Sequence, residues 1–173
     1  MELKGKRIAI LVEDLYNEFE FWYPYYRMKE AGAQVTVVGT GAMEYHSKIG
    51  LPAPGGENAG SVRSADFDGV VIPGGYCPDR LRRYPEVLKL VRDCFEEGKV
   101  VAAICHAGWV LVSAGILKGK KATCFSGIKD DVVNAGASYV DREVVRDGNL
   151  ITSRTPDDLP AFCREIIAVL GGR

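Results

Sequence analysis

The chain has 173 residues, of which 47% are hydrophobic and 26% are charged, and its formal net charge is −1. This composition is typical of a globular protein, and the length predicts a single domain over residues 1–173. The near-zero charge argues against a nucleic-acid partner and against an anionic membrane surface. No apolar run reaches the roughly 20 residues that cross a bilayer, and the first residues lack the apolar core of a signal peptide. We therefore expect a cytoplasmic protein.

The elements predicted along the chain alternate short apolar strands with helices, which indicates an α/β fold around a mostly parallel sheet. In chain order we expect strand 7–12, helix 15–31, strand 34–38, strand 68–72, helix 85–97, strand 100–104, helix 106–114, strand 121–125, helix 128–134, hairpin strands 144–146 and 150–152, and helix 156–170. The polar section 39–63 predicts only short strands. Asp147-Gly148-Asn149 is a strong hairpin turn, and Thr155 is the expected cap of the last helix.

The cysteines are scattered, and the histidines are only His46 and His106. The sequence has no C-x-x-C pair, so it predicts neither a zinc site nor a disulfide framework, and we expect no metal and no cofactor. Cys94 and Cys163 lie in helical patterns, where a thiol acts as a small buried hydrophobe. The full set of cysteines is Cys77, Cys94, Cys105, Cys124 and Cys163.

The most informative segment is the apolar strand 100–104, which leads directly into Cys105 and His106. Ala103 and Ala107 stand two places to either side of the cysteine, and small residues there permit the sharp strand-to-helix turn of a nucleophile elbow. The helix N-terminus favours a thiolate and a neutral imidazole. Whether the two side chains touch stays open, because neighbours at a helix start tend to point apart. A carboxylate is needed to orient the histidine.

Two other strand ends carry residues suited to the same chemistry. Gly74 and Gly75 follow strand 68–72, and their amides, together with that of His106, could form an oxyanion hole. Glu20 lies among aromatic residues in the first helix, where burial favours a protonated carboxyl that donates to a thiolate. The acids Glu13, Asp14 and Glu18 are expected to be exposed. Because carboxyl ends of parallel strands meet at one edge of a sheet, we expect one shared site.

Four segments resemble the PfpI-type intracellular proteases, in the ThiJ/PfpI branch of the class I glutamine amidotransferase-like superfamily. They are AICH at 103–106, IPGG at 72–75, YPYYR at 23–27 and SGIKDD at 126–131. The resemblance covers residues 7–170, and the branch also holds the parkinsonism-associated deglycase. It implies a flavodoxin-like three-layer sandwich, an activity labelled either peptidase or glyoxalase and deglycase, and a homo-oligomer that is a dimer or a hexamer.

The resemblance also implies roles for individual residues. Cys105 falls on the nucleophile, His106 on the catalytic histidine, Glu20 on the acid that bonds the thiol, and Gly75 on an oxyanion-hole position. Asp79 stands where the protease members carry a glutamate that reaches the histidine of a neighbouring subunit. Asp79 is one methylene shorter than that glutamate.

Departures from the protease pattern fall near the expected pocket. Asn17 replaces an acid, and Phe125 replaces a tyrosine placed near the substrate. Tyr76, which follows Gly74 and Gly75, is expected to contact either the substrate or a partner subunit. Trp109 is expected either to narrow the cleft or to pack in the core, and packing is favoured for a buried indole. These changes predict altered substrate handling.

We therefore predict a cysteine hydrolase in which the Cys105 thiolate attacks the carbonyl of a small compound or a peptide. The alternative is a non-enzymatic stress-response protein whose Cys105 is an oxidation sensor. A glutaminase is excluded, because it needs a histidine and a glutamate spaced H-x-E downstream of the nucleophile, and no histidine follows His106.

Overall fold

A seven-stranded sheet lies at the centre of residues 1–172, the part of the chain that the computed structural model describes. Arg173, the last residue of the predicted domain, lies outside that part. The strands are β1 Arg7–Leu11, β2 Gln34–Gly39, β3 Glu44–His46, β4 Pro52–Pro54, β5 Glu57–Asn58, β6 Gly69–Ile72, β7 Val100–Ile104, β8 Lys121–Ala122, β9 Ser138–Tyr139, β10 Val145–Asp147 and β11 Leu150–Ser153.

The strand order in the main sheet is β10-β11-β7-β6-β1-β2-β5, and every pair is parallel except the β10–β11 hairpin. Without the short edge strands β10 and β5, this is the flavodoxin-like order, with its reversal between β1 and β6. The predicted α/β fold with a mostly parallel sheet is therefore confirmed. Strands β3 and β4 form a separate antiparallel pair, and β8 and β9 a separate parallel one.

Helices cover both faces of the sheet, which completes the three layers. The helices are α1 Glu18–Glu30, α2 Cys77–Leu81, α3 Pro85–Glu96, α4 Gly108–Ala114, α5 Lys129–Asn134 and α6 Leu159–Leu170. α1 packs against α6 on one face, while α3 packs against α4 on the other. Because β6 and β7 are covered on both sides, every residue in them is buried and their sequences are continuously apolar. None of the helices in the described chain combines the length and apolarity needed to cross a membrane.

Several predicted boundaries differ from the structure. Helix α1 begins at Glu18 and not at residue 15, because Leu15 has a left-handed backbone with φ +67 and Asn17 caps the helix. The strand predicted over 121–125 ends at Ala122, since the chain then turns toward the elbow and Phe125 N–H donates to the Cys105 carbonyl at 3.3 Å.

Near the C-terminus, Thr155 provides no side-chain cap, and a 3-10 turn precedes helix α6. Helix α2 was not predicted, because five residues are too few to show a helical period.

Candidate active site

Cys105 stands at the turn between strand β7 and helix α4. Its φ is +60, in the left-handed region that non-glycine residues rarely adopt, and residues 105–107 form a 3-10 turn before the helix begins at Gly108. Strain of this kind costs about 1–3 kcal/mol and persists where the surrounding structure fixes it. The side chain is 8% exposed. The elbow expected from the sequence is therefore present, although a 3-10 turn separates Cys105 from helix α4.

Glu20, Gly74 and Cys105 meet where the first helix approaches the ends of β6 and β7. A β-carbon placed on Gly74 would collide with Glu20 Oε2 and would lie 2.7 Å from Cys105 Cβ. Only glycine leaves room for the acid and the nucleophile to approach each other here. Three segments that are distant in sequence thus form one site, as the sheet topology led us to expect.

Gly75 is held in position by the segment that precedes helix α1. Its φ is +78, and a β-carbon there would lie 2.6 Å from the Leu15 carbonyl oxygen. On either side of it, Tyr76 N–H donates to Leu15 at 2.9 Å and Asn17 N–H donates to Gly74 at 3.1 Å. This arrangement aims the Gly75 N–H at the Cys105 sulfur, and the His106 N–H also donates to that sulfur. Two of the three amides expected to form an oxyanion hole, those of Gly75 and His106, therefore converge on the nucleophile. The third is not part of the hole, because Gly74 N–H donates to Glu20.

Glu20 is completely buried. Its Oε2 accepts a hydrogen bond from Gly74 N–H at 2.8 Å, while Oε1 has no well-aligned partner within residues 1–172. Burial raises the pKa of Glu20 from 4.5 to about 7, and the adjacent thiol of Cys105 is one of its neighbours. A protonated carboxyl can donate to the sulfur, so the structure agrees with the prediction of a neutral acid beside the thiol.

The pKa of the Cys105 thiol differs from the sequence-based expectation. Burial raises its pKa to about 12, and the negative charge of an ionised Glu20 raises it further, whereas the two amides lower it. The sequence predicted the opposite direction from the helix N-terminus alone, so that prediction is wrong. When Glu20 carries its proton, the like-charge repulsion disappears and the carboxyl becomes a donor to the thiolate. Ionisation of Cys105 therefore depends on Glu20 being protonated.

His106 touches the nucleophile, which answers the question that the sequence left open. Its Nδ1 lies 3.3 Å from Cys105 Sγ, and its ring stacks on Phe125 with the ring centroids 4.9 Å apart. Burial lowers the pKa of His106, and the positive charge of Lys48 lowers it further. The imidazole is therefore neutral near pH 7 and can accept a proton.

Aromatic rings surround His106 and form the rim of the site. Tyr76 is 56% exposed, with its ring centroid 6.0 Å from that of His106. Trp109 lies 5.1 Å away in an edge-on contact, and its indole N–H donates to Asp131 at 3.0 Å. Trp109 packs partly against the core, as favoured from the sequence, and its ring also lies on this rim. The rings of Phe125 and Tyr76 both lie beside His106, and their predicted contact with a substrate stays a prediction.

Two predicted site residues have other roles within the chain. Asn17 Oδ1 caps helix α1 by accepting from Phe19 N–H at 3.1 Å and Glu20 N–H at 3.2 Å. Asp79 forms an ion pair with Arg83, one turn later along the chain. No carboxylate hydrogen-bonds the His106 ring within the described residues, so the acid that would orient it is not supplied from residues 1–172.

Sequence reasoning missed Lys48, whose ammonium lies over the Tyr76 ring at 5.4 Å from the centroid. The signal was weak, because Lys48 belongs to the polar section that predicted only short strands. Cys77, one of the cysteines expected from the sequence, is a fully buried thiol beside the site, and its sulfur lies 3.4 Å from the Gly74 carbonyl oxygen. In the described part of the chain, no cluster of three or more His, Cys, Asp or Glu side chains is placed to hold a metal ion.

The chain is similar to known proteins along nearly its whole length. Residues 6–169 match the model of the DJ-1/PfpI family. The chain is 41% identical to Deglycase PfpI of Pyrococcus furiosus, over 95% of this chain and 99% of that protein. It is 40% identical to Protein/nucleic acid deglycase 2 of Escherichia coli, over 96% of this chain and 99% of that protein.

A solved structure agrees with the fold. A two-domain protein from Anabaena variabilis, with DJ-1/ThiJ/PfpI-like and ferritin-like domains, superposes with a TM-score of 0.95 at 43% identity. The match covers 96% of this chain, which spans about half (48%) of that protein. With a family match over nearly its whole length and relatives at this identity, the chain belongs to the DJ-1/PfpI family.

Proposed function

We propose that the protein is a cysteine-dependent hydrolase of the deglycase type, in which Cys105 attacks the carbonyl carbon of a small substrate. The observation that supports this is the set of groups that surround the Cys105 sulfur. Cys105 Sγ lies 3.3 Å from His106 Nδ1 and receives two backbone N–H groups, beside the Glu20 carboxyl whose pKa is raised to about 7. This combination of base, oxyanion donors and acid is what nucleophilic catalysis at a carbonyl requires.

The proposed steps follow from these positions. The Cys105 proton passes to His106, Sγ forms a bond to the carbonyl carbon, and the carbonyl electron pair moves onto oxygen. The amides of Gly75 and His106 stabilise that oxyanion. With a peptide, the oxyanion collapses, the amine departs with the proton from His106, and a thioester remains. With a methylglyoxal adduct, the amine or thiol departs first, Sγ adds to the aldehyde carbon, and the oxyanion takes the proton back from His106 to give a hemithioacetal. His106 then removes the hydrogen on that carbon and a proton is added to the neighbouring ketone carbon, so the first carbon is oxidised as the second is reduced and a 2-hydroxy thioester remains. Water then attacks the thioester, the C–S bond breaks, and the thiol and a carboxylic acid are released.

The surroundings of the thiol favour a small carbonyl compound over a peptide. Cys105 is nearly buried, and the rings of Tyr76, Phe125 and Trp109 enclose His106 beside it. An adduct of a short 2-oxoaldehyde such as methylglyoxal fits such a setting better than an extended polypeptide. Both relatives described above are named deglycases, which agrees with this choice. Peptidase activity is the second candidate, carried by the same thiol and amides.

The test is turnover of methylglyoxal adducts of N-acetylcysteine, followed by release of the free thiol and of lactate. We expect the wild type to be active, Cys105→Ser to be inactive, and His106→Ala to lose about 100-fold or more, as for removal of a general base. Cys163→Ser is the control, because this buried thiol lies in α6. An inactive wild type whose Cys105 is still oxidised selectively would reject the enzyme and favour the oxidation sensor.

We also propose that a second copy of the chain completes the site through Asp79. His106 has no carboxylate partner within residues 1–172, while the Asp79 side chain is 47% exposed and reaches only Arg83. A homo-oligomer, either a dimer or a hexamer, would bring this acid to the histidine of a neighbour. Co-expression of Cys105→Ser with Asp79→Asn should then restore activity that neither variant has alone. No restoration, or a fully active monomer, would contradict the proposal.

We propose a cytoplasmic location, on the basis of the cysteines. All five in the chain are free and buried, with no disulfide among them. Proteins with several unpaired thiols are typical of reducing compartments. Fractionation of the producing cells would test this, and recovery of the protein outside the cytoplasm would contradict it.

A further inference from the structure

The segment that carries Lys48 is fixed against the active site by backbone pairing. Lys48 N–H donates to the Tyr16 carbonyl at 3.0 Å, and Tyr16 forms a bridge with Ser47. Tyr16 also forms a bridge with Gly75, whose amide points at the nucleophile. One residue therefore connects the Lys48 segment to the oxyanion-hole segment, so the position of the lysine backbone relative to Cys105 is set by the fold.

The Lys48 side chain continues toward the rim of the site. Its ammonium lies 5.4 Å from the centroid of the Tyr76 ring, and that ring lies 6.0 Å from the His106 ring. The electrostatic neighbours of Lys48 include both Glu20 and His106, so its charge reaches both partners of the nucleophile. Among the described residues, neither Glu18 nor Glu20 comes within ion-pair distance of it.

A lysine over a tyrosine is not unusual by itself. Lys29 lies 5.0 Å from the Tyr25 ring at the end of helix α1, where no site is present. What distinguishes Lys48 is its place beside the nucleophile. A second cation near this rim, Arg82, lies 5.7 Å from the Trp109 ring, and its Nε donates to Ser113 Oγ at 2.9 Å. Lys48 is exposed, so its ammonium is available to an incoming anionic group.

We propose that Lys48 is a specificity-determining residue that binds a carboxylate of the substrate, so that the site prefers carbonyl adducts bearing a negative charge near the reacting carbon. This inference rests on the proposed function for its substrate, but the recognition of the anion does not depend on turnover. A carboxylate can pair with the ammonium at the rim while the carbonyl reaches Cys105 below. The charge pair also orients the substrate, since it fixes which end faces the rim.

The first test uses alkylation of Cys105, which requires a reactive thiol and no catalysis. Iodoacetate and iodoacetamide are nearly the same size and differ in charge, so the ratio of their rate constants isolates the effect of the anion. Peptide mass spectrometry assigns the label to Cys105. We expect Lys48→Met to lower the iodoacetate-to-iodoacetamide ratio by about fivefold, the upper end for one exposed charge pair. Lys48→Arg should keep the ratio, and 0.5 M salt should reduce it in the wild type.

Lys29→Met is the matched control, because it removes a lysine from a tyrosine ring away from the site, and its ratio should equal that of the wild type. If Lys48→Met and the wild type agree within twofold, the proposal is wrong. A merely structural role of Lys48 would slow both reagents together and leave the ratio unchanged, which would also overturn it.

The second test compares methylglyoxal adducts of N-acetylcysteine and of its neutral amide. We expect the wild type to prefer the anionic adduct in kcat/KM by about fivefold, mainly through KM, and Lys48→Met to lose that preference. No turnover of either adduct, with an alkylation ratio that still depends on Lys48, would reject the proposed function and leave anion recognition standing. Turnover of both adducts at equal rates would reject anion recognition and leave the proposed function standing.

Discussion

Replacing Glu20 with glutamine tests whether the buried acid beside the nucleophile is neutral. Burial raises the pKa of Glu20 from 4.5 to about 7. Between those values the folded state holds a proton that the unfolded state has released, so the free energy of unfolding falls as the pH rises. At 1.36 kcal/mol per pKa unit, the wild type should lose about 3 kcal/mol between pH 4 and pH 8 through this group. Glu20→Gln lacks the titration.

The assay is urea unfolding of both proteins from pH 4 to pH 8, and the measured quantity is the difference between their free energies of unfolding. Groups common to both proteins cancel in that difference, so it should shift by about 3 kcal/mol in favour of the variant as the pH rises. Glu30→Gln serves as the control, since this carboxylate at the end of the same helix is 75% exposed. If the difference between the free energies of unfolding of the wild type and Glu20→Gln stays constant from pH 4 to pH 8, the argument that burial keeps Glu20 neutral is refuted.

Three further substitutions test the geometry of the site. Gly75→Ala should lower the free energy of unfolding by at least about 2 kcal/mol more than Gly98→Ala, because both positions have positive φ but only Gly75 meets backbone atoms. Equal losses of stability for Gly75→Ala and Gly98→Ala in thermal melts would contradict this. Phe125→Ala should raise the pKa of His106 toward its ordinary value, since burial lowers it, and an unchanged NMR titration would count against that cause. Asn17→Ala should destabilise the protein by about 1 kcal/mol and Asn17→Asp by less, and equal losses would argue against the cap.

The sheet and the elbow could be predicted because their causes are local. Five consecutive buried residues in β7 give a continuous apolar run, and the small residues around Cys105 permit the turn. Helix α1 was predicted to begin too early, because its start depends on a distant contact. Leu15 N–H donates to the His46 carbonyl at 2.7 Å, and this contact holds Leu15 in a non-helical conformation. No residue near Leu15 in the sequence indicates that its N–H will donate to His46.

The pKa values and the burial of charged groups were predicted less well, because burial depends on how distant segments pack together. The helix N-terminus beside Cys105 is visible in the sequence, but the opposing effect of burial appears only when the three segments meet. Glu13 is a similar case, since it was expected to be exposed and is buried. Its carboxylate accepts a hydrogen bond from the Thr40 hydroxyl, and Tyr45 completes that network. The partners lie about 30 positions away, so no local pattern could have revealed them.

The convergence of Glu20, Gly75 and Cys105 has a consequence for the life of the newly made chain. In an unfolded or partly synthesised polypeptide, Cys105 has neither its acid nor the Gly75 amide beside it, and it is an ordinary thiol. The sulfur acquires its special surroundings only when β1, β6 and β7 have paired and the segment before α1 has bridged to Gly75. Attack on a carbonyl with a base, an acid and oxyanion donors in place thus requires the completed fold, and fragments or misfolded copies carry the thiol without those partners.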